Sequence, residues 1–474
     1  MSSDHRTRSS GRMPPPTPEA LRAALARVQR LDQRHHMHPF TDPRALVQAP
    51  PFVMDAAQGC YVMGQGLRLL DAMAGLGCVN IGYGRPELAE VAAETMKQMS
   101  FYHSFAGVTN PPAAELAARI AALAPGALNR VFFANSGSEA NETAIKLINL
   151  YWRRRGQPGR RLLISRDFAY HGSTVATSAL NGLTAMHKPF GIRTVGHVAH
   201  VASPFWYRFG GDLTPEEFGK RAADAIEHKI MEVGPQNVAA VFAEPIQCTL
   251  GAIIPPESYW PRVEAICRKH EILLVADEVV TGFGRTGRWF AQETFGFQAD
   301  LMTLAKGLSS GYQPISALVM SDDFSDVIGE QSEVLQHGFT TSAHPVATAV
   351  ALKNLQILEE EKLVTRIADD IGPYFAARLT TLEQHPLVGE VRVSGLIAGI
   401  EIAEDKASRR QYPVDLGVDQ LVGQAALARG LIVRPAGNVL VLCPPFVISR
   451  AEVDFIVDAL AEALDQIHTA LMAS

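Results

Sequence analysis

The feature that most constrains this 474-residue chain is an alternation of short apolar runs with longer amphipathic runs through its middle. RVFFAN, AAVFAEPI and ILLVADEVV are almost continuously apolar, whereas SEANETAIKLINLYWRR and RVEAICRKH repeat with the period of a helix. Strands buried on both faces are typical of parallel sheets, because the crossover helices cover both faces. The sequence therefore predicts an α/β fold whose mixed, mostly parallel sheet is covered by helices.

The pattern changes after HPVATAVALKNLQILEEE (344–361), which predicts a long helix. Beyond it, VRVSGLIAGIEI and GLIVRPAGNVLVLCPPF have strand character, and AEVDFIVDALAEALDQIHTALM is amphipathic. We expect a smaller α+β domain formed by both termini, joined by strand-like pieces in residues 52–70. The predicted boundaries are a disordered tail over 1–18, small-domain residues 19–72, a large domain over 73–345 and a C-terminal small domain over 346–474.

Charge and cysteine content exclude several classes of protein. The net charge is −6, with 43 Lys+Arg against 49 Asp+Glu, which provides no electrostatic reason to expect nucleic acid or an acidic membrane as a partner. The 5 cysteines are scattered and lack C-x-x-C spacing, which disfavours a disulfide framework and predicts a cytoplasmic location. His35, His36 and His38 are a tempting metal site, but no acidic or cysteine partner is evident nearby, so we expect a packed segment without a metal.

The stretch LLVADEVVTGFGRTG (273–287) allows two interpretations. Gly282, Gly284 and Gly287 have the G-x-G-x-x-G spacing of a dinucleotide site, which makes a nicotinamide oxidoreductase the rival function. That site needs its first glycine at the strand end and a helix directly afterwards, and TGFGRTGRW predicts no such helix. We therefore favour a tight loop that has no role in nucleotide binding.

Asp277 and Lys306 each follow an apolar strand. A buried aspartate needs a positive partner, either a structural arginine or helix cap, or a cationic ligand atom at the carboxyl edge of the sheet. A confined lysine can form a Schiff base with an aldehyde. Together they predict pyridoxal phosphate, with Asp277 at the ring nitrogen and Lys306 at the aldehyde carbon.

The segment FFANSGSEANETAIK (132–146) predicts a strand, a tight turn and a helix start. It can be an ordinary helix start capped by Ser138, with Glu139 in the first turn. Beside Asp277 and Lys306, we interpret it as a cup for the cofactor phosphate, since hydroxyls and unpaired N–H groups at a helix start bind anions.

At this point the motifs resemble those of a known family. The chain resembles the class III pyridoxal-phosphate aminotransferases of fold type I, and specifically their amine or ω-amino acid:pyruvate branch. The resemblance covers nearly the whole chain after about residue 30. The motifs that carry it, in the family's order, are HHMHPFTD (35–42), MAGLGCVNIGYGR (73–85), NSGSEANETAIK (135–146), AYHGST (169–174), AEPIQ (243–247), LLVADEVVTGFGRTG (273–287), LAKGLSSGYQPI (304–315), HGFTTSAHPV (337–346) and GLIVRP (430–435).

The resemblance implies roles for individual residues. Lys306 is the implied Schiff-base lysine and Asp277 the partner of the pyridine nitrogen. Arg434 is implied to bind the carboxylate of the keto acid. The remaining implied cofactor contacts are Ser136, Gly137 and Ser138 at the phosphate, Thr340 from across a dimer interface, Tyr170 and Val279 on the ring faces, His171, and Glu244 and Gln247 near the ring hydroxyl. Phe40, Tyr102, Tyr170 and the stretch 73–77 with Gly77 are implied to line the substrate pocket.

The implied function is a ping-pong transfer of an amino group from an amine or ω-amino acid to pyruvate or another keto acid, in a homodimer, with pairing into a tetramer left open. One residue departs from the family, because Gly77 stands where related enzymes commonly carry tryptophan. Loss of an indole predicts a wider pocket. An aminomutase, racemase or decarboxylase of the same class stays open as an alternative, since it would use the same lysine and aspartate.

Overall fold

The computed structural model describes residues 18–192, 197–331 and 333–473. The predicted disordered tail lies outside the described residues except for Pro18, where the first helix begins. The chain divides into two compact units: the described part of Met1–Ala57 with Val62–Arg68, and Gln58–Tyr61 with the described part of Leu69–Ser474. The boundaries predicted at residues 73 and 346 stay a prediction.

The smaller unit contains helices α1 (Pro18–His35) and α2 (Pro43–Gln48). Asp42 caps α2 by accepting a hydrogen bond from the backbone of Arg44, and Pro43 begins the helix because proline needs no hydrogen-bond partner there. The predicted strand-like pieces of residues 52–70 form short strands. They are β1 (Ala56–Gln58), β2 (Tyr61–Gly64) and β3 (Leu67–Asp71).

The larger unit is organised around a sheet with seven strands in the described residues. In chain order they are β4 (Leu128–Ala134), β5 (Leu162–Arg166), β6 (Val198–Val201), β7 (Val238–Ala243), β8 (Leu273–Asp277), β9 (Leu301–Leu304) and β10 (Ser316–Ser321). Across the sheet the order is β4-β10-β9-β8-β7-β5-β6. The neighbours from β9 to β6 pair in parallel, and β10 is antiparallel to both β9 and β4. The predicted mixed, mostly parallel sheet is confirmed.

Helices on both faces bury the strands, and every residue of β7 and β8 is buried. The helices up to the end of β10 are α3 (Ala74–Gly77), α4 (Pro86–Gln98), α5 (Pro111–Leu123), α6 (Gly137–Arg154), α7 (Val175–Leu180), α8 (Thr184–His187), α9 (Trp206–Phe209), α10 (Pro215–Val233), α11 (Tyr259–Lys269) and α12 (Ala291–Phe295). The helices after β10 are α13 (Asp322–Gly329), α14 (Pro345–Glu360), α15 (Leu363–Arg366), α16 (Gly372–Thr380), α17 (Val418–Ala428) and α18 (Arg450–Met472).

A second sheet follows α16, as the strand patterns after residue 361 predict. Its strands are β11 (Val388–Ser394), β12 (Ile397–Ile402), β14 (Arg434–Pro435) and β15 (Val439–Leu442), in the antiparallel order β11-β12-β15-β14. The short strand β13 (Leu431–Ile432) pairs in parallel with Leu70 and Asp71 of β3. Ser449 and Glu452 form a capping box that starts α18 where the amphipathic pattern begins.

Among the helices within residues 18–192, 197–331 and 333–473, none is both long and apolar enough to cross a membrane.

Candidate active site

Two adjacent parallel strands bring the predicted catalytic pair to the same edge of the large sheet. Asp277, the last residue of β8, is in register with Thr303 of β9, and Lys306 follows Thr303 by three residues. Carboxyl ends of parallel strands form the usual ligand crevice of open α/β sheets. The sheet therefore places the acid and the amine at neighbouring positions of that crevice.

Lys306 adopts a left-handed backbone conformation, with φ of 39°, directly after the strand. This conformation is costly for a residue with a side chain and is concentrated at functional sites. Its Nζ donates a hydrogen bond to the carbonyl oxygen of Leu76. Burial lowers the pKa of Lys306, and the nearby positive charge of Arg434 lowers it further. A lysine held in this way is suited to act as an uncharged base or nucleophile.

Asp277 is 4 % exposed and engaged through both carboxylate oxygens. Oδ2 accepts a hydrogen bond from Asn141 Nδ2 at 2.9 Å and lies 2.8 Å from His171 Nδ1, and Oδ1 accepts from the backbone of Val279 at 3.1 Å. Hydrogen bonds to the charged form favour a carboxylate. Asp277 is therefore held as an oriented anion, which is what a protonated pyridine nitrogen needs.

Behind Asp277, buried charges alternate in sign. His171 Nε2 lies 3.5 Å from Glu244 Oε2, and that oxygen accepts a hydrogen bond from Arg166 at 3.1 Å. Burial disfavours the charged form of His171, but the carboxylates of Glu244 and Asp277 outweigh it, so the pKa of His171 is raised. The imidazole thus lies between the two carboxylates, whose charges favour its protonated form.

The predicted phosphate cup begins α6, but its cap is a different serine. Ser136, and not Ser138, caps the helix by accepting a hydrogen bond from the backbone of Glu139. Ser138 Oγ instead accepts from the backbone of Ser173 at 3.0 Å, which ties the cup to the AYHGST segment. Within the described part of the chain neither hydroxyl proton has an acceptor, and the N–H groups of Gly137 and Ser138 have no carbonyl partner in the helix, so these groups can bind an anion.

Close contacts shape the space beside the cup. A Cβ atom at Gly137 would lie 3.1 Å from Val279 Cγ2, so glycine lets the valine approach the helix start. The half-buried Tyr170 bonds through its hydroxyl to Ser173 Oγ at 2.9 Å, and its backbone N–H donates to Glu244 at 2.9 Å. The stacking of Tyr170 and Val279 on the two faces of the cofactor ring stays a prediction.

The glycine-rich loop packs against protein. A Cβ at Gly284 would lie 2.9 Å from Val364 Cγ2, and one at Gly287 would lie 3.0 Å from the backbone of Ala368. Both residues have positive φ, and the next helix, α12, begins only at Ala291. The glycines therefore lie in a tight loop packed against Val364 and Ala368, and the helix that a dinucleotide site needs directly after the first turn is not there.

The side of the site near α3 is less occupied. Among the residues that the structure describes, Arg434 makes no ion pair or hydrogen bond through its guanidinium, although its charge reaches Lys306. A Cβ at Gly77 would meet only Val280 and Cys443, at 3.5 and 3.9 Å. Tyr102 is 53 % exposed, and Phe40, in the smaller unit, is 79 % exposed.

Asp71, which the motifs did not single out, shapes the stretch 73–77. Its carboxylate accepts hydrogen bonds from the backbone of Met73 and Gly75 at 2.9 and 2.6 Å and from the hydroxyl of Tyr83 at 2.6 Å. Asn141 was likewise missed as a partner of Asp277. The sequence did contain a signal, because Asn141 is a polar residue inside the motif NSGSEANETAIK to which no role had been given.

Two predicted cofactor residues remain to be placed. The amide of Gln247 is buried and bonds to Ser203 Oγ at 2.7 Å and to the carbonyl of Asp167 at 2.8 Å. Thr340 is exposed, in a turn ahead of α14. Their roles toward the cofactor stay predictions.

The histidine cluster of the smaller unit has an acidic partner after all. Asp32 lies one helical turn before His36, and its two oxygens lie 2.9 Å from His36 Nδ1 and 2.6 Å from His38 Nε2. The expectation that no acidic residue stands nearby is wrong, because the end of α1 folds the three side chains together. Their mutual hydrogen bonds pair the two rings and the carboxylate, and the absence of a metal stays a prediction.

The donor set fits pyridoxal phosphate. It combines a lysine of lowered pKa, a fixed carboxylate, a helix start with two hydroxyls and an aromatic residue beside them. This site on a mostly parallel sheet defines a fold type I enzyme that depends on pyridoxal phosphate.

Comparison with known proteins leads to the same class of enzyme. The model of the family "Aminotransferase class-III" matches residues 44–464. The chain belongs to the class III aminotransferases, and pyridoxal phosphate is its cofactor.

Individual relatives are similar over almost their whole length. A putrescine–pyruvate aminotransferase of Pseudomonas aeruginosa is 44 % identical over 446 residues, which are 94 % of this chain and 97 % of the relative. The structure of a thermostable (S)-enantioselective omega-transaminase from Thermomicrobium roseum is 42 % identical, with a TM-score of 0.90 over 93 % of this chain and 98 % of that one. A thermostable omega transaminase carrying a Trp→Gly change, engineered for asymmetric synthesis of bulky amines, is 40 % identical, with a TM-score of 0.91 over 93 % and 99 %.

Proposed function

We propose that the protein transfers an amino group from an amine or ω-amino acid to pyruvate or a similar keto acid, as a dimer with shared active sites. The observation that carries this is the guanidinium of Arg434, which has no partner within residues 18–192, 197–331 and 333–473 and whose charge reaches Lys306. Arginine binds carboxylates through two parallel hydrogen bonds. A cation without a protein partner can bind the keto acid in one half-reaction and remain without a ligand when an amine lacking a carboxylate is bound.

When bound, pyridoxal phosphate supplies an electron sink for the carbanion that forms at the substrate carbon. The residues of this chain do the rest. Lys306 Nζ, whose pKa is lowered, removes the proton from the substrate carbon. The same nitrogen returns a proton later in the half-reaction. Asp277, held by Asn141 and His171, keeps the positive charge of the ring nitrogen in place. The Ser136–Ser138 turn orients the phosphate.

The substrate class follows from the relatives and from Gly77. One relative is a putrescine–pyruvate aminotransferase, which supports a diamine or simple amine as the donor. Gly77 lies where the family commonly carries tryptophan, and the engineered Trp→Gly neighbour was made for bulky amines. We infer that this chain accepts longer or bulkier amines, in a pocket that Tyr102 and Tyr170 help to line.

The test is a donor panel with pyruvate: diamines, β-alanine, taurine-like and aryl amines, with alanine measured as product. A transaminase forms alanine and the carbonyl product in equal amounts. A rearranged, racemised or decarboxylated donor without alanine would identify an aminomutase, racemase or decarboxylase instead.

Arg434→Leu sharpens this test. We expect the KM for pyruvate to rise about 30-fold, because a charged hydrogen-bonding partner contributes about 2 kcal/mol. The half-reaction with an amine that lacks a carboxylate should change little. Arg429→Leu is the matched control, because Arg429 is bonded to Glu462 and Gln466 on the surface of α18. Equal losses with amine and keto acid would contradict the proposed role.

A further inference from the structure

We propose that His337 is a positioning residue that holds Thr340 where it can bind the phosphate of the cofactor in the partner subunit. The inference rests on the proposed function, in which Thr340 completes the neighbouring phosphate site. The segment 337–341 is held at two points, one on each side of Thr340: His337 bonds to α6, and Thr341 bonds to Asn135 directly before the cap of that helix. The start of α6 is the phosphate cup of the same subunit.

The first point is the imidazole of His337. Nε2 lies 2.9 Å from Thr143 Oγ1, and Nδ1 lies 2.9 Å from Lys146 Nζ. Thr143 and Lys146 are three residues apart on α6 and so lie on one face of the helix. The ring therefore bridges two successive side chains of the helix.

The protons on this bridge can be assigned. The hydroxyl of Thr143 has one proton and donates it to the carbonyl of Glu139 at 2.7 Å. Its oxygen must then accept the proton on Nε2 of His337, which leaves Nδ1 to accept from the ammonium of Lys146. The bridge consequently requires a neutral His337 in a single tautomer.

The surroundings keep the ring neutral and oriented. It stacks on Phe132 with 5.3 Å between ring centroids and a 12° interplanar angle, and Phe339 packs edge-on at 5.2 Å. Burial lowers the pKa of His337, and the charge of Lys146 lowers it further. Rotation of the ring would break both hydrogen bonds and the stack together.

The second point is Thr341. Its hydroxyl donates to Asn135 Oδ1 at 2.8 Å, and Asn135 donates from its backbone and its amide to Glu139 Oε2, both at 2.7 Å. Asn135 directly precedes the cap of α6. Between the two anchors Thr340 is exposed, and its side chain has no hydrogen bond within the described part of the chain. Helix α6, whose start forms the phosphate cup of its own subunit, thus positions Thr340 for the phosphate site of the partner subunit.

A double-mutant cycle on cofactor retention tests this. The variants are His337→Phe, Thr340→Ala and the two combined, each as purified holoenzyme. Phenylalanine keeps a ring against Phe132 and removes both hydrogen bonds. His385→Phe is the matched control, because His385 is also partly buried and its Nε2 lies 3.3 Å from a carboxylate oxygen of Asp465 in α18. The readout is the dissociation constant of pyridoxal phosphate, from equilibrium dialysis and the visible absorbance of the bound cofactor.

We expect the dissociation constant to rise about tenfold in Thr340→Ala and about fivefold in His337→Phe. The double variant should stay near tenfold and not reach about fiftyfold, because a residue that acts through Thr340 has nothing left to position. Lys146→Met, which removes one of the two bonds, should show about a twofold rise and serves if His337→Phe does not fold.

The outcomes separate the two ideas. If Thr340→Ala weakens retention but His337→Phe and Lys146→Met do not, the inference is overturned and the role of Thr340 stands. Multiplicative effects in the double variant, or an equal loss in His385→Phe, also overturn it. If Thr340→Ala retains the cofactor like the unmodified enzyme, the proposed shared phosphate site fails and the inference fails with it.

Discussion

The carboxyl edge of the seven-stranded sheet and the substrate side near α3 are organised in opposite ways. At the sheet edge, Asp277, His171 and Glu244 each bond to another buried polar group. On the substrate side, Arg434 has no partner among the described residues, and a Cβ atom at Gly77 would make only ordinary van der Waals contacts, with Val280 and Cys443. Groups that perform the same step in every turnover are oriented in advance, whereas groups that meet different substrates are left unpaired. The predictions below test this contrast, from the largest expected effect to the smallest.

Lys306→Ala should remove the chemistry altogether. We expect both half-reactions to slow by about 10⁴-fold or more, because the base and the point of attachment are lost together. Single-turnover kinetics and the visible absorbance with cofactor measure this. Lys97→Ala, at an exposed lysine of α4, is the control and should behave like the unmodified enzyme. Wild-type half-reactions in Lys306→Ala would show that another residue is the catalytic lysine.

Asp277→Asn should show that charge, and not only hydrogen bonding, is what the sheet edge provides. A charge pair at about 4 Å with an effective dielectric of 20 amounts to roughly 4 kcal/mol, so we expect kcat to fall about 10³-fold with the cofactor still bound. Asn141→Ala removes a hydrogen bond and leaves the charge, and should cost only about tenfold. Similar losses in the two variants would contradict this account.

Glu278→Gln tests how much a second buried carboxylate at the same sheet edge lowers the free energy of unfolding. Burial raises the pKa of Glu278 to about 7, although Thr281 and the backbone of Ala291 and Gln292 donate to it. The folded protein then binds more protons than the unfolded chain between the usual glutamate pKa and about 7, so stability falls as pH rises through that window. The loss should reach about 3 kcal/mol above pH 7.

In Glu278→Gln this pH-dependent part of the loss should be absent. Urea unfolding at several pH values between 5 and 8 measures the slope. The exposed Glu257→Gln is the control and should follow the unmodified protein. A variant with the same slope as the unmodified protein would show that Glu278 is ionised throughout.

Gly77→Trp should reduce the volume of the substrate pocket without changing the hydrogen bonds of Asp277 at the sheet edge. We expect the preference for bulky over small amines to fall about tenfold, since an aromatic side chain fills the pocket. Gly77 has φ of 69°, so any side chain there is strained. Gly77→Ala is the matched control, because it carries the strain without the bulk. If alanine changes the size profile as much as tryptophan, backbone strain and not pocket volume sets the preference.

Much of the sheet edge was predictable. Apolar runs predicted the strands, and the polar residues at their ends predicted Asp277 and Lys306, because the carboxyl ends of parallel strands meet at one edge, whereas Glu244 came from the resemblance. The resemblance added His171. Its place between two carboxylates was not predictable, since Asp277 is 106 residues away in the chain.

Other features depended on contacts that spacing does not reveal. Ser136 and Ser138 are both plausible caps from sequence, and only the direction of the chain into α6 decides between them. Asp32 was missed because a helix end followed by a bend, and not a simple repeat, brings it to His36 and His38. The glycine spacing around residue 284 suggested a ligand site. In the structure Gly284 instead allows the close approach of Val364, which is distant in the chain.

The sequence by itself determined the class of fold, the edge at which the site forms and the two residues proposed to carry its chemistry, because periodicity and strand-end residues are local properties. Only the tertiary structure decided which charges are paired, that the guanidinium of Arg434 has no partner among the described residues and how the segment of Thr340 is held beside α6. Those outcomes depend on hydrogen bonds and burial between residues far apart in the chain, where a shift of 1 to 2 Å separates a bonded group from an unpaired one.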